Sequence, residues 1–227
     1  MAKPGPRPRK AAGEDGGGSG DELRTRLIDG AIRVLARDGF AHTSARAVAA
    51  EAGTVNGSVF YYFGSMDGLL AAATRAIGER GRERIRQGLG GSRAHLEWPR
   101  RLSTVMQAEV DSDEGRAVME LFVGSRTSPA LAAEVRTAID EAIAYATAEM
   151  QTVIGDALIS QLVPVPLIAE LAAAAFLGIE VLAQNGRPID VDQLAAGLAT
   201  ALRLLGAPTD PADPAAEAET ATPTDPV

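Results

Sequence analysis

The chain has 227 residues, a net charge of −8 and no cysteine. This length allows one large domain or two small ones with an ample core. The lack of cysteine excludes a disulfide framework and thiolate metal sites. Only two histidines are present, His42 and His95, and the sequence contains neither a P-loop nor a Gly-x-Ser-x-Gly motif. We therefore predict a protein with no enzymatic activity, no metal and no cofactor.

Charge is distributed unevenly along the chain. Residues 75–101 carry eight arginines and three acids, whereas residues 102–206 carry fourteen acids and five bases. Because phosphate contacts dominate affinity for nucleic acid, the total charge does not exclude a DNA-binding role for the N-terminal part. The longest apolar run, Leu171 to Ile179, is too short to span a bilayer. No apolar stretch follows the basic start, so we expect a cytoplasmic protein without membrane contact.

The first predicted element is a disordered basic arm over residues 1–20, which proline and glycine interrupt. The arm has two interpretations, a solvated tail or a segment that lies on phosphates or in a minor groove. From Asp21 to Asp38 apolar residues recur every three or four positions, which predicts a helix that ends at Gly39.

Two further helices are predicted directly after this one. A hydroxyl at Thr43-Ser44 would cap the first of them, and Gly53 is placed where a helix C-cap belongs. The second is short and runs from about Thr54 to Tyr61. Helix, glycine turn and short helix is the helix-turn-helix arrangement.

Two motifs in this region are specific. They are Gly39-Phe40-x-x-Thr43-Ser44-x-Arg46-x-Val48-Ala49-x-x-Ala52-Gly53, and Gly57-Ser58-Val59-Phe60-Tyr61-Tyr62-Phe63 followed by Ser65. Over about residues 21–70 they resemble the DNA-binding domain of the TetR family of bacterial repressors. The resemblance implies an all-α protein, with a three-helix helix-turn-helix domain at 21–66 and a larger helical effector-binding and dimerisation domain at 67–206. The acidic tail 207–227 is predicted to be disordered.

The resemblance places the third helix in the major groove of double-stranded DNA. Asparagine pairs well with adenine, and valine contacts a thymine methyl group. Arg46, on the preceding helix, would contact a guanine or a phosphate, or alternatively form a surface ion pair. The residues expected to contact DNA are Thr43, Ser44, Arg46, Thr54, Val55, Asn56, Gly57, Ser58, Tyr61 and Tyr62.

Four positions depart from the usual pattern of the family. Phe60 replaces a tyrosine, Tyr62 a histidine, Met66 a lysine and Asn56 a basic residue. Fewer charged anchors imply weaker nonspecific affinity or greater reliance on the arm. They also keep an alternative open, namely a helical ligand-binding or interaction module whose DNA binding has degenerated.

The remaining sequence predicts further helices. They cover about residues 67–89, 100–110, 114–126 and 128–160, then a helix that ends at Gln184 and one from Asp190 to 206. We expect the arginines at 80, 82, 84 and 86 to form a solvated face. The acidic cluster at 111, 113 and 114 is interpreted as a solvated loop rather than a cation site.

The resemblance also implies a small-molecule pocket and a four-helix dimer interface in the larger domain. Candidate pocket residues are Trp98, Leu102, Met106, Met119, Phe122, Tyr145, Met150 and Phe176, with plain core as the alternative for each. Candidate dimer residues are Leu171, Ala175, Ile179, Leu194, Leu198, Ala201, Leu202 and Leu205, with a monomer core as the alternative.

The resulting hypothesis is a homodimeric transcriptional repressor that binds a palindromic operator. A small, hydrophobic ligand would release it by favouring a second shape of the dimer. Activation rather than repression is an open alternative, and a small helical enzyme that uses an apolar cavity is a further one.

Overall fold

The structure is a computed structural model that describes residues 16–89, 98–154 and 158–204. All regular secondary structure within these ranges is helical, which confirms the predicted fold class. The α-helices are α1 (Gly16–Asp38), α2 (Ala45–Glu51), α3 (Gly57–Phe63), α4 (Met66–Leu89), α5 (Trp98–Val110), α6 (Asp113–Ser125), α7 (Pro129–Ile154), α8 (Leu158–Leu162), α9 (Val165–Gln184) and α10 (Val191–Leu204). A short 3-10 helix, Phe40–His42, lies between α1 and α2.

The first helix begins at Gly16 rather than Asp21, so the prediction of disorder is wrong for residues 16–20. Extending an existing helix by a turn requires no new nucleation, and each glycine costs only about 1 kcal/mol relative to alanine. A Cβ atom at Gly20 would lie 3.6 Å from the Tyr62 hydroxyl, so this turn packs near α3. Residues 1–15 of the predicted arm are outside the described residues.

The helix-turn-helix unit is built from α1, α2 and α3. Ser44 caps α2 as predicted, because its Oγ accepts a hydrogen bond from the Ala47 amide at 3.2 Å. Gly53 has φ of 67°, a left-handed conformation that glycine adopts without strain, and it turns the chain towards α3. The third helix begins at Gly57, three positions after the predicted Thr54, because residues 54–56 are needed to complete the turn.

One apolar core joins this unit to the larger part of the chain. It includes residues of α1, α2 and α3 and continues into α4, α6 and α7. Its fully buried members include Leu27, Leu35, Val48, Val59, Leu69, Ala117 and Leu131. The three-helix unit therefore packs directly on α4 and α6, which in turn contact α7, and the core is continuous across the predicted domain boundary at residue 66.

Three of the four arginines expected to form a solvated face of α4 pair with other helices instead, whereas Arg86 is exposed and pairs with Glu83 of α4 itself. Arg80 contacts Asp29 of α1 at 2.5 Å and Glu114 of α6 at 3.5 Å. Arg84 pairs with Glu109 of α5, and Arg82 pairs with Glu141 of α7 at 3.0 Å. Sequence periodicity could not reveal these pairs, because each acid comes from a different helix.

The C-terminal helices form a second, smaller apolar cluster. Met150 and Ile154 of α7 pack there against Val165 and Ala169 of α9. α7 ends at Ile154 rather than near residue 160, and α8 follows as a separate short helix after residues 155–157, which are outside the described residues. α10 packs mainly on α5 and begins as predicted, with Asp190 Oδ1 accepting from the Gln193 amide at 2.9 Å.

α9 is longer than its uninterrupted apolar run suggested. It spans 20 residues, because Glu170 and Glu180 lie within the helix and do not end it. By length and composition alone it is the one helix of the described residues that satisfies the criteria for a membrane span, which is weak support for one. The run Leu171 to Ile179 alone therefore underestimates the length of this apolar helix, which ends at Gln184 as predicted.

Candidate DNA-binding site

The site is a surface formed by the α2–α3 turn and the start of α3. Val55 is 73% exposed and Tyr61 is 82% exposed. Asn56, Gly57 and Arg46 are exposed as well. Large apolar side chains on a helix commonly face the core, so Val55 and Tyr61 are conspicuous as exposed side chains at this turn.

Hydrogen bonds hold the turn that carries these residues. The Thr54 amide donates to the Ala49 carbonyl at 2.8 Å, and the hydroxyls of Thr54 and Ser58 lie 3.0 Å apart. Thr54 and Ser58 are half-buried. Both side chains therefore hold the turn together as well as bordering the exposed surface.

The two remaining predicted contacts precede α2. Thr43 Oγ1 donates to the Gly39 carbonyl at 2.8 Å, while Ser44 Oγ is engaged at the start of α2. Their hydroxyls fix the local backbone, so a DNA contact from either residue would come in addition to that bond. Glu51, at the end of α2, is clamped by Arg33 at 2.7 Å and Arg37 at 2.9 Å of α1.

The aromatic residues of α3 divide between the two sides of the helix. Tyr61 and Tyr62 meet edge to face with ring centroids 5.0 Å apart. Tyr62 and Phe63 are half-buried against the core, and Val59 is fully buried. Tyr61 is therefore the exposed tyrosine of α3, whereas Tyr62 exposes a smaller fraction of its side chain.

Two residues absent from the sequence prediction lie on or beside this surface. Phe60 is 49% exposed although it lacks a hydroxyl. The Arg24 guanidinium of α1 lies 5.4 Å from the centroid of the Phe63 ring, within the range of a cation–π interaction. Arg24 brings a positive charge close to α3, which has no charged residue of its own. No local motif marks this pairing, because the two residues are far apart in sequence.

Residues 27–73 match the family model described as bacterial regulatory proteins, tetR family. Over these residues the chain carries the N-terminal domain of the TetR family. The matched segment covers the second half of α1, all of α2 and α3 and the first part of α4, and thus the surface described above except for Arg24. A search of curated protein sequences gave no match.

Solved structures of this type align over most of the chain. A member of the TetR family from Streptomyces coelicolor A3 is 26% identical, with 80% of this chain and 98% of that chain covered and a TM-score of 0.59. The multidrug binding protein EbrR, complexed with imidazole, is 25% identical, with 84% and 92% covered and a TM-score of 0.58. A transcriptional regulator from Saccharomonospora viridis in complex with choline is 22% identical, with 78% and 94% covered and a TM-score of 0.65, and shows the fold alone.

The predicted pocket residues do not form one group. Leu102 and Met150 share the smaller apolar cluster, whereas Phe122 packs against the larger core. Met106, Met119 and Phe176 are half-buried, and the Trp98 side chain is outside the described part. The Tyr145 hydroxyl is buried and makes no hydrogen bond to any described group, and burial raises its pKa.

The predicted dimer residues of α9 are only partly on one face. Leu171 is 61% exposed and Ala175 is exposed, but Ile179 is 4% exposed and packs within the protomer. Steps of four residues advance about 40° beyond a full helical turn, so the second step, to Ile179, moves off the outer face. Gly178 and Leu182 occupy that face instead.

On α10 the predicted residues line a shallow groove. Leu194, Leu198 and Ala201 are exposed and border it together with Gly197, whose lack of a side chain deepens it. The side chain of Leu202 and residue Leu205 are outside the described part of the chain. Among the exposed large apolar side chains, Leu167, Leu171, Val181 and Leu182 lie on α9, and Leu194 and Leu198 lie on α10.

Glu180 of α9 lies beside the first turn of α6. It is fully buried, and neither carboxylate oxygen has a hydrogen-bond partner among the described groups. A Cβ atom at Gly115 would lie 2.7 Å from Glu180 Oε1, so glycine is required there. Burial is the main cause that raises the pKa of Glu180, and the nearby Glu109 and Asp111 raise it further, against Arg116.

Proposed function

We propose that this chain is a homodimeric, sequence-specific DNA-binding repressor that acts in the cytoplasm. The observation that carries the proposal is the exposed α2–α3 turn, with Val55 and Asn56 on a hydrogen-bonded scaffold and Tyr61 beside them. Val55 and Asn56 supply base contacts in the major groove. Tyr61, Arg46 and Arg24 supply contacts to phosphates, and Thr43, Ser44, Thr54, Gly57, Ser58 and Tyr62 border the same interface.

The proposed dimer forms through the outer faces of α9 and α10. Support comes from their exposed apolar side chains, which include Leu171, Leu182, Leu194 and Leu198. A second copy covering them would bury these side chains. Two recognition helices about one DNA turn apart, roughly 34 Å, would then match a palindromic operator.

We further propose that a small hydrophobic ligand binds in the larger domain and lowers operator affinity. The apolar cluster that Leu102 and Met150 share supports a hydrophobic ligand there. The buried Tyr145 hydroxyl, on the same helix as Met150 and without a hydrogen-bond partner among the described groups, supports one polar group on it. EbrR is complexed with imidazole and the Saccharomonospora regulator with choline. Ligands of this size fit the proposal, and the protein would catalyse no reaction on them.

Selection of bound sequences from a random double-stranded DNA pool tests the proposed DNA recognition. We expect an enriched palindrome with the wild-type chain. The Asn56→Ala variant should lose about 5- to 100-fold discrimination at one position in each half-site and keep the rest, because one bidentate base contact is removed. An unchanged site preference in this variant would remove Asn56 from the base-reading residues.

One observation favours the alternative of a module with degenerate DNA binding. Phe60 is exposed without a hydroxyl, and Met66 offers no charge at the position where the family usually has lysine. The same selection separates the two functions. Absence of enrichment at low salt, from protein shown to be free of bound ligand by mass spectrometry, would favour the degenerate module.

A further inference from the structure

The turn between α1 and α2 is held by a carboxylate from the larger part of the chain. The Phe40 amide donates a hydrogen bond to Glu120 Oε2 of α6 at 2.6 Å, across 80 residues of sequence. Gly39, next to it, has φ of 80°, and a Cβ atom there would lie 3.2 Å from the same oxygen. Glycine at this position thus lets the carboxylate approach the backbone closely.

The side chain of Phe40 packs against the same helix, α6. Its ring lies directly against Gly124, where an added Cβ atom would overlap the ring. Glu120 and Gly124 are four positions apart and therefore share one face of α6. Glu120 fixes the backbone of the turn, and Gly124 provides the notch for its ring. We name these three residues, Phe40, Glu120 and Gly124, the latch.

The latch is connected to α2 by a short chain of bonds. Thr43 Oγ1 donates to the Gly39 carbonyl at 2.8 Å, and Ser44 then caps α2. The position of the turn on α6 consequently determines where α2 begins, and α3 follows after four residues of turn and Asn56. Another polar link between the two parts, Arg80–Asp29, joins α4 to α1 rather than to this turn.

We infer that Glu120 is a positioning residue, which holds the helix-turn-helix unit at one orientation on α6 and thereby fixes the half-site spacing that the dimer accepts. This inference rests on the proposed function, because spacing has meaning only for a dimer that binds DNA. Packed elements resist small rotations, so a fixed turn makes the distance and angle between two recognition helices nearly rigid. A released turn lets each unit adjust to operators with the wrong spacing.

The test compares operators that differ only in the number of base pairs between half-sites. One added base pair rotates a half-site by about 35° and moves it by about 3.4 Å. The variants are Glu120→Gln, which keeps an acceptor for the Phe40 amide, and Glu120→Met, which has similar length but no acceptor. Glu141→Gln is the matched control, because it also removes one negative charge but lies in an ion pair between α4 and α7.

We expect wild type, Glu120→Gln and Glu141→Gln to bind the operator of native spacing at least about tenfold more tightly than operators changed by one base pair. Glu120→Met should lose most of this preference and bind the native spacing roughly tenfold more weakly. Equal preference for native spacing in Glu120→Met and wild type would overturn the inference. A merely stabilising role would lower thermal stability without changing the ratio between spacings.

Gly124→Ala provides an independent variant if Glu120→Met does not fold. It displaces the Phe40 ring while leaving the carboxylate in place, and we expect the same loss of spacing preference. An unaltered preference in folded Gly124→Ala would also contradict the inference. If the wild-type chain itself selects no DNA sequence, the proposed function fails, and this outcome is distinct from a wild type that binds DNA with variants that keep its spacing preference.

Discussion

The helix-turn-helix unit and the α9–α10 layer bury their apolar residues in different ways. Leu27, Leu35, Val48 and Val59 of the first are fully buried inside one protomer. In the second, Leu171 and Leu194 are more than half exposed, although the helices are apolar. The first region is complete within one chain, whereas the second leaves surface that we propose a second copy covers. Apolar content therefore does not reveal whether a helix is buried by its own chain or by a partner.

The most direct test of this difference in burial is to truncate one leucine in each region. Leu35→Ala should lower the free energy of unfolding by about 2–5 kcal/mol, because it leaves a cavity in a closed core. Chemical denaturation at several protein concentrations measures this loss. The loss should be the same at every concentration at which wild type and variant are associated to the same extent.

The matched variant is Leu171→Ala, whose side chain is mostly exposed in the protomer. We expect its effect on stability to vanish on dilution to the monomer, since it then removes few intramolecular contacts. A loss as large as that of Leu35→Ala in the diluted protein would show that the two regions do not differ as described.

Leu198→Glu tests the proposed partner of the second region. A charge placed on the outer face of α10 would have to be buried without a counterion, so the dissociation constant of the dimer should rise by about 100-fold or more. Sedimentation equilibrium measures this change. Thr200→Glu, on another face of the same helix, is the control, and a Leu198→Glu variant that stays dimeric would place the interface elsewhere.

Tyr61→Phe sharpens the role of the surface of the first region. Loss of one phosphate hydrogen bond, worth about 1 kcal/mol net, should weaken binding to all DNA sequences by roughly three- to tenfold. Fluorescence anisotropy with specific and random duplexes measures both affinities. Weakening confined to one base pair would instead assign Tyr61 to base recognition, and unchanged folding of the variant by circular dichroism is the control.

Glu180→Gln examines the closed side of α9. Burial raises the pKa of Glu180. The neutral carboxyl therefore makes its full contribution to stability below the ordinary pKa of glutamate. This contribution is lost as the pH rises through the pKa that Glu180 has in the folded protein. The variant should therefore gain stability relative to wild type between pH 5 and pH 8. Urea unfolding at both pH values measures the difference, the smallest effect expected here.

Glu170→Gln provides the control for this pH dependence, because Glu170 is exposed on the same helix. Its stability relative to wild type should change little between the two pH values. A Glu180→Gln variant whose stability follows wild type at both pH values would show that the carboxyl is not held in its neutral form.

Several features of the fold were predictable because they depend on neighbours in sequence. Ser44 caps α2 through a hydroxyl three residues from its partner amide, and Asp190 does the same for α10. Gly53 turns the chain because a left-handed conformation is local to one residue. Local rules of this kind predicted an all-helical chain and the helix-turn-helix unit.

Other features required the tertiary structure, since they join residues remote in sequence. The bond between the Phe40 amide and Glu120, the cation–π contact of Arg24 with Phe63 and the arginine pairs of α4 are of this kind. Ile179 shows the same limit within one helix. The spacing of apolar residues along α9 is compatible with either an outer or an inner position for Ile179, and only the packing shows that it faces inward.

The amino-acid sequence by itself determined the helical elements, several of their caps and the motif that matches the N-terminal domain of the TetR family. These follow from hydrogen bonds and periodicities that act over three or four residues. Only the tertiary structure decided which faces are closed, where Glu180 is buried and how α6 grips the turn before α2. Such contacts depend on the relative placement of whole helices, which local interactions do not specify.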